Sequence, residues 1–133
     1  MINAQIALLR AGKPLEAFDT FFDANGVMYA NDVVFATGAA QARQKQVPFF
    51  SSAVSIEGAI TDLVISESLG QCAFRNKTTF VTKDSRAHQI DGLCWQLWQQ
   101  GKVIEERYYD GDAMRARISA GVLANAEISS VIR

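Results

Sequence analysis

The sequence contains few residues of the kinds that bind metals or form disulfides. It has two cysteines and one histidine in 133 residues. Cys72 and Cys94 each lie in an apolar, strand-like run, which predicts reduced core side chains in preference to a disulfide or a metal pair. With His88 as the sole histidine, a metal site would need mostly carboxylate ligands. The sequence therefore predicts no metal site.

Several common functional motifs are also missing. There is no glycine-rich phosphate loop, CxxC pair, HExxH or GxSxG motif. The 13 basic and 14 acidic side chains give a net charge of −1, with no basic tract of the kind that binds nucleic acid. No apolar run approaches the roughly 18 residues of a membrane span, and no signal-peptide pattern is present. We therefore expect a cytoplasmic protein without cofactor, nucleic-acid partner or membrane segment.

The first part of the chain carries helical patterns. Apolar residues at helical spacing predict a first helix that ends at Gly12 and a second helix that starts at Pro14. The second helix is expected to end at residues 25–26, where Asn-Gly favours a cap or a turn. A short interrupted strand follows, and then a third helix over residues 39–46, which Pro48 is expected to disrupt or kink.

The second part of the chain predicts a meander of four long strands. Strand-forming residues and intervening turns place these strands at about 55–65, 72–82, 87–98 and 103–109. Asp112 is the expected N-cap of a last helix, and residues 112–133 could form a helix or a tail that folds against a partner. Helices followed by a meander predict one α+β domain over residues 1–133, with N-terminal helices packed on a curved, mainly antiparallel sheet.

This order of elements resembles the nuclear transport factor 2-like superfamily, and within it the SnoaL-like, ketosteroid-isomerase-like branch. The resemblance covers about residues 5–112, and the matching stretches are residues 11–12, 29–35, Gly38 and 101–110. It implies a cone-shaped, cystatin-like fold with an apolar pocket between the inner sheet face and the helices. It also implies a homodimer through the outer sheet face. Functions on this fold differ widely, so the site must decide the activity.

The ketosteroid isomerase site can be compared with this sequence position by position. That site uses a carboxylate base, a tyrosine on the first helix and a protonated acid on a later strand. Here the base position falls on Thr37 and the tyrosine position on Gln5, so steroid isomerase chemistry is not expected. The acid position falls on Asp91, which would face the pocket if its strand is regular. The alternative is a solvent-facing Asp91, because a bulge shifts strand parity.

Other candidate site residues also have purely structural alternatives. His88 lies near a turn, and an exposed hairpin histidine is the favoured alternative to a catalytic one. Trp95 is assigned to the pocket and Trp98 to the outer face, although core packing explains both. The pattern of the last strand leaves open which of its two faces points inward. The predicted ligand-binding residues are Tyr29, Phe35, Phe49, Phe50, Trp95 and Tyr108.

We expect a protein that binds a small apolar or aromatic molecule inside the cone. If it is an enzyme, Asp91 is the acid or base, and Tyr29 or His88 positions the substrate. The reaction class that suits such a site is a cofactor-independent isomerase, cyclase or lyase acting beside a carbonyl. The alternative is a non-catalytic, homodimeric module that binds another protein. An open cavity favours ligand binding, whereas a cavity plugged by aromatic side chains favours the module.

Overall fold

The computed structural model describes residues 1–123 as three helices packed in the hollow of a bent sheet, with a fourth helix on the other side. The described elements are α1 Ile2–Arg10, α2 Pro14–Phe21, β1 Phe22–Ala30, β2 Val33–Thr37, α3 Ala39–Ser51, β3 Ala53–Glu57, β4 Ile60–Ser66, β5 Gln71–Asn76, β6 Thr79–Thr82, β7 Ala87–Gln89, β8 Gly92–Gln99, β9 Lys102–Tyr109 and α4 Gly111–Ser119. The mixed α+β architecture is the one predicted.

The main sheet has six strands in the order β2-β1-β9-β8-β5-β4. β1 and β9 pair in parallel, and the other neighbours pair antiparallel. β8 therefore lies near the centre, where its two faces are both covered, and six of its eight residues are buried. This sheet supplies the floor of the hollow.

Three of the predicted long strands are each split in two by a bend. The breaks fall at residues 58–59, 77–78 and 90–91, so β3, β6 and β7 form a separate three-stranded sheet. Backbone bonds bridge the bend, from the Lys77 amide to the Ala59 carbonyl at 2.8 Å and from the Ile90 amide to the Thr78 carbonyl at 2.7 Å. The predicted pairing order is correct, and the bends curve the sheet around the helices.

Two predicted helix ends are wrong. α2 ends at Phe21, and the Asn25-Gly26 pair lies inside β1 instead of capping a helix. The Phe22 ring occupies the space that a Cβ on Gly26 would need, at 2.7 Å, so this irregular part of the strand requires glycine. α3 continues through Pro48 to Ser51, and the contact between the Phe49 and Phe80 rings, 4.7 Å apart, holds its last turn in place.

α4 packs on the outer sheet face and starts two residues earlier than predicted, with Asp110 as its N-cap residue. Its Met114 and the following Val122 form a buried cluster with Trp95 and Tyr109. The predicted tail from residue 125 onward lies outside the described residues. No helix in the described part of the chain is long and apolar enough to cross a membrane.

A charged network fastens α4 to the sheet. Asp32, in the turn between β1 and β2, accepts hydrogen bonds from the Tyr109 hydroxyl at 2.6 Å and from Arg107 at 3.2 Å. Its other carboxylate oxygen accepts one from Arg117 of α4 at 2.6 Å. The guanidinium of Arg117 also stacks on the Tyr109 ring at 4.0 Å, and that of Arg107 stacks on Tyr29 at the same distance.

Candidate functional site

A cavity of about 530 Å³ lies between the first three helices and the inner sheet face. This volume falls in the range of small-molecule sites. The walls are mainly apolar, and a cluster of hydrogen-bonded polar side chains, Gln5, Gln96 and Glu106, lies at one end. The lining residues are Gln5, Leu9, Pro14, Ala17, Phe18, Phe22, Met28, Phe35, Lys45, Gln46, Phe49, Phe50, Phe74, Asn76, Ile90, Cys94, Gln96, Val103, Glu106 and Tyr108.

Gln96, in the centre of β8, is the centre of the hydrogen-bond network at the buried end of the cavity. Its side chain forms a reciprocal amide pair with Gln5 of α1, with N–O distances of 2.9 and 2.8 Å. The Gln96 carbonyl oxygen also accepts a hydrogen bond from the indole N–H of Trp98 at 3.0 Å and one from the Cys72 thiol at 3.4 Å. Gln96 then donates to Glu106 Oε1 at 2.6 Å. These partners hold one amide in a single orientation.

Glu106 brings a carboxyl group to this end of the cavity. Its Oε1 accepts hydrogen bonds from Gln96 and, at 3.3 Å, from the Cys94 thiol. Burial raises the pKa of the Glu106 carboxyl above its usual range, and these two hydrogen bonds oppose that rise. No ion pair to Glu106 is found among residues 1–123. A carboxyl group in such surroundings exchanges protons closer to neutral pH than an exposed one.

Tyr108 lies two residues further along β9 on the same face. Burial raises the pKa of its phenol to about 12, with smaller contributions from the negative charges of Asp110 and Asp91 and from Cys94 when that thiol is ionised. Its ring lies against Gly92, where an added Cβ would come within 2.1 Å of a ring carbon. Glycine at this position therefore lets the Tyr108 ring pack closely against β8. Because its pKa is raised, the phenol is a neutral hydrogen-bonding group at neutral pH.

The two cysteines are free and buried. Burial raises the pKa of the Cys72 thiol to about 12 and raises that of Cys94 well above its usual range. Both thiols are therefore protonated at neutral pH and act as weak hydrogen-bond donors, not as nucleophiles.

The opposite end of the cavity is open and aromatic. Phe35 is 37% exposed and Phe49 is 44% exposed. The Lys45 ammonium lies 5.0 Å from the centre of the Phe35 ring and donates a hydrogen bond to the Phe35 carbonyl. An entering molecule therefore meets aromatic surface with one cation at the edge.

The chain is similar to known proteins in structure but not in sequence. No family model matches the chain, and no curated protein matches it in sequence. A protein from Mesorhizobium loti assigned to the SnoaL-like polyketide cyclases is 20% identical with a TM-score of 0.64, covering 83% of this chain and 99% of that one. An NTF2-like protein of unknown function from Exiguobacterium is 18% identical with a TM-score of 0.64, covering 84% and 98%.

A third similar structure carries a small molecule. It is a protein with a ketosteroid isomerase-like fold from Catenulispora acidiphila, in complex with trimethylamine. It is 13% identical to this chain with a TM-score of 0.63, and the match covers 90% of this chain and 91% of that one.

The chain has the nuclear transport factor 2-like fold. The resemblance seen in the sequence therefore predicted the fold correctly. Thr37, which the sequence resemblance assigned to the position of the isomerase base, is exposed and is absent from the cavity wall. Gln5, which it assigned to the tyrosine position, reaches the cavity, where its amide pairs with Gln96.

Four of the six predicted ligand-binding residues line the cavity of this nuclear transport factor 2-like fold. They are Phe35, Phe49, Phe50 and Tyr108. Their role in binding stays a prediction.

The expected pocket positions of Trp95 and Tyr29 are wrong. Trp95 is fully buried in the outer cluster beneath α4, and Tyr29 stacks with Arg107 outside the cavity. Trp98, expected on the outer face, instead belongs to the inner core.

The two predicted catalytic residues are not in the cavity wall. Asp91 lies in the break between β7 and β8, outside the cavity wall, and its carboxylate accepts hydrogen bonds from Arg75 Nε at 3.1 Å and Nη2 at 2.9 Å. His88 is exposed in β7, where its ring stacks on Phe80 at 5.1 Å. The structure does not bring Asp91 and His88 together at the site.

The sequence interpretation missed Glu106 and Gln96. A signal for both was the alternation of Cys94, Gln96 and Trp98 along β8, since strand pairing places Glu106 beside Gln96. The described residues contain no group of three or more histidine, cysteine or acidic side chains that could hold a metal ion.

Proposed function

We propose that the chain binds a small, largely apolar molecule in the cavity and that Glu106 is the acid or base that acts on it. The observation that carries this proposal is a lone carboxyl group with a raised pKa at the buried end of an open, aromatic-lined cavity. The reaction class remains a cofactor-independent isomerase, cyclase or lyase step beside a carbonyl. The acid-base role moves from Asp91 to Glu106.

The arrangement of Glu106 and Tyr108 suits proton transfer next to a carbonyl. An ionised Glu106 can remove a proton from the carbon beside the carbonyl group. The Tyr108 phenol, neutral because its pKa is about 12, can donate a hydrogen bond to the carbonyl oxygen as negative charge develops there. The two side chains are alternate residues of β9 and therefore share one face of the sheet.

Two of the similar structures support a small-molecule site on this fold. The Mesorhizobium loti protein is assigned to the polyketide cyclases, and the Catenulispora acidiphila protein is in complex with trimethylamine. The sequence identities are 20% or less, so these structures support the general class of ligand, a small molecule, and do not identify the ligand itself.

The test is hydrogen–deuterium exchange at the carbon beside a ketone, followed by proton NMR with 2-tetralone in deuterated buffer. We expect the protein to accelerate this exchange above the buffer background. Glu106→Gln should reduce the acceleration roughly 100-fold or more, in the range typical of a lost general base. Asp91→Asn is the matched control, because its carboxylate lies outside the cavity and pairs with Arg75.

Three outcomes separate the parts of this proposal. Loss of exchange in Asp91→Asn with full exchange in Glu106→Gln would overturn the assignment of the base. Binding of 2-tetralone without exchange, detected as a rise in melting temperature, would reject the reaction and keep the ligand site. Neither binding nor exchange across a panel of aromatic ketones would reject both.

The alternative of a homodimeric interaction module has less support. α4 covers part of the outer sheet face that the resemblance assigns to a dimer contact. A cavity plugged by phenylalanine and tryptophan side chains was the arrangement expected of a module, whereas the observed cavity has a volume of about 530 Å³ and is open at one end.

A further inference from the structure

The orientation of the Gln96 amide decides which oxygen of Glu106 is available to a ligand. A glutamine amide pairs equally well with a second glutamine in either orientation, because each offers one acceptor and one donor group. The reciprocal pair of Gln5 and Gln96 would therefore survive if both amides turned over together. Some other neighbour has to fix the orientation.

Trp98 is that neighbour whenever Glu106 is protonated, because an ionised Glu106 can only accept and itself requires the Gln96 nitrogen. Its indole N–H can only donate, so the Gln96 oxygen must face it, at 3.0 Å. The Gln96 nitrogen then points to Glu106 Oε1, at 2.6 Å. Cys72 also touches the Gln96 oxygen, at 3.4 Å, but a thiol can donate or accept and therefore fixes nothing.

The two oxygens of Glu106 consequently differ. Oε1 already accepts hydrogen bonds from Gln96 and Cys94, and a proton placed there would oppose the Gln96 N–H. Among the described residues, no group donates a hydrogen bond to Oε2. Oε2 is also not among the fully buried polar atoms that lack a hydrogen-bond partner, so it is accessible. Glu106 lines the cavity, so Oε2 is the oxygen that a bound molecule can reach.

We propose that Trp98 and Gln96 are positioning residues that make Glu106 a one-sided acid: the ionised carboxylate takes up a proton through Oε2, and the protonated carboxyl then donates from Oε2 to a hydrogen-bond acceptor of the ligand. A carbonyl oxygen is such an acceptor. The proposal rests on the proposed function for the location of the ligand. It also makes a prediction about Glu106 that needs no ligand.

Other groups that face Glu106 give no competing charge at neutral pH. Cys94 of β8 and Cys72 of β5 are protonated thiols, and Tyr108 is a neutral phenol. The α1 neighbour is the Gln5 amide, and β1 contributes Met28 beside it. Lys45 of α3 lines the same cavity but is held at the open end by the Phe35 carbonyl.

The ligand-free test is the pKa of Glu106, measured by carbon-13 NMR of the side-chain carboxyl, with Glu106→Gln used to assign the signal. In Trp98→Phe both amides can turn over, and a protonated Glu106 can then donate to the Gln96 oxygen. We expect the pKa of Glu106 to rise on the order of one unit, because the protonated form gains that bond. Cys72→Ala, which removes another donor to the same oxygen, should leave the pKa of Glu106 unchanged.

A double mutant separates positioning from packing. Gln96→Met removes the donor to Glu106 and should raise its pKa in the same direction. Trp98→Phe added to Gln96→Met should then change nothing further, because Trp98 acts through Gln96. Additive shifts, an unchanged pKa in Trp98→Phe, or an equal shift in Cys72→Ala would overturn the proposal. If Trp98→Phe does not fold, the Gln96→Met and Cys72→Ala pair still decides whether Gln96 controls the carboxyl.

The ligand arm uses acetophenone and α-methylstyrene, which have nearly the same shape but differ in having C=O or C=CH₂. Below the pKa of Glu106, acetophenone should bind roughly 5-fold or more tightly than α-methylstyrene by NMR titration, since only the ketone accepts a hydrogen bond. This preference should shrink as Glu106 ionises and in Trp98→Phe. Equal binding of both probes rejects the one-sided acid and keeps the cavity. Binding of neither probe argues against the proposed function, and the pKa measurements still test the positioning.

Discussion

Glu105 and Glu106 are adjacent in β9, yet their carboxylates lie on opposite faces of the sheet and have different hydrogen-bond partners. Glu105 points outward, where the Arg107 guanidinium donates to it at 2.7 Å. Glu106 points inward, where its described hydrogen bonds come from the neutral side chains of Gln96 and Cys94. The outer face provides counter-charges that hold a helix in place. The inner face leaves one acid in apolar surroundings, where it can react.

Removing the outer cluster is expected to have the largest effect. Trp95→Ala should lower the free energy of unfolding by about 3–5 kcal/mol, because Trp95 is fully buried between the sheet and α4. Urea denaturation measures the loss. Phe49→Ala, which truncates a half-exposed ring at the cavity mouth, is the comparison and should cost about 1 kcal/mol. Similar losses from the two changes would contradict the placement of Trp95 in a sealed core.

The charged network on the outer face should have the next largest effect. Asp32→Ala removes the acceptor shared by Tyr109, Arg107 and Arg117, and should cost about 1–3 kcal/mol of unfolding free energy. Asp112→Ala is the matched control, since that carboxylate is fully exposed and should change stability by less than about 0.5 kcal/mol. Chemical denaturation of both variants would show whether Asp32 stabilises α4, and equal effects would argue that it does not.

The smallest expected effect gives the most direct comparison of the two sheet faces. Substitutions at the adjacent residues Glu105 and Glu106 should change the free energy of unfolding in opposite directions. Glu105→Gln loses the ion pair with Arg107 and should destabilise the protein by about 0.5–1 kcal/mol at neutral pH. Glu106→Gln should stabilise it. The folded state holds the Glu106 proton more tightly than the unfolded state does. The native protein therefore loses stability as the pH rises from about 4.5, the ordinary glutamate value, through the higher folded pKa.

The measurement is the melting temperature of the wild type and both variants as a function of pH. The advantage of Glu106→Gln should be absent at low pH, grow as the pH rises through the folded pKa, and then level off. An advantage that is constant with pH, or a loss at every pH, would mean that burial does not raise the pKa of Glu106.

The fold could be predicted from the sequence because it depends on local signals in a recognisable order. Gly12, the stretch from Tyr29 to Phe35 and the Gly101 turn lie at the junctions of elements, where backbone geometry restricts the residue type. The bends within the long strands left a weaker signal, since Gly58 lies in the first bend and Gly92 directly follows the third. They fall where the chain continues its backbone pairing while changing direction, and Thr78 in the second bend remains a good strand former.

The site was harder to predict because strand alternation reveals an inner face only when the other face is in water. In β8 both faces are buried, so hydrophobicity did not distinguish the face of Trp95 from that of Trp98, and the assignment of Trp95 to the pocket was wrong. α4 causes this ambiguity, since it covers the outer face. β9 contains a bulge, because Leu97 of β8 pairs with Glu105 but the next residue, Trp98, pairs with Val103. The bulge breaks the alternation of the strand, so Val103 and Glu106 both line the cavity although they are three residues apart.

The parallel pairing of β1 with β9 has a consequence for how the cavity forms during synthesis. Met28 pairs with Glu106, so the sheet is completed by a contact between distant parts of the chain. Non-local contacts of this kind form slowly, because loop-closure entropy is lost before they stabilise the structure. A nascent chain that ends before β9 lacks Val103, Glu106 and Tyr108, and its first three helices have an incomplete sheet to cover. The apolar walls are thus exposed to the cellular environment until the acidic residue that distinguishes the site emerges from the ribosome.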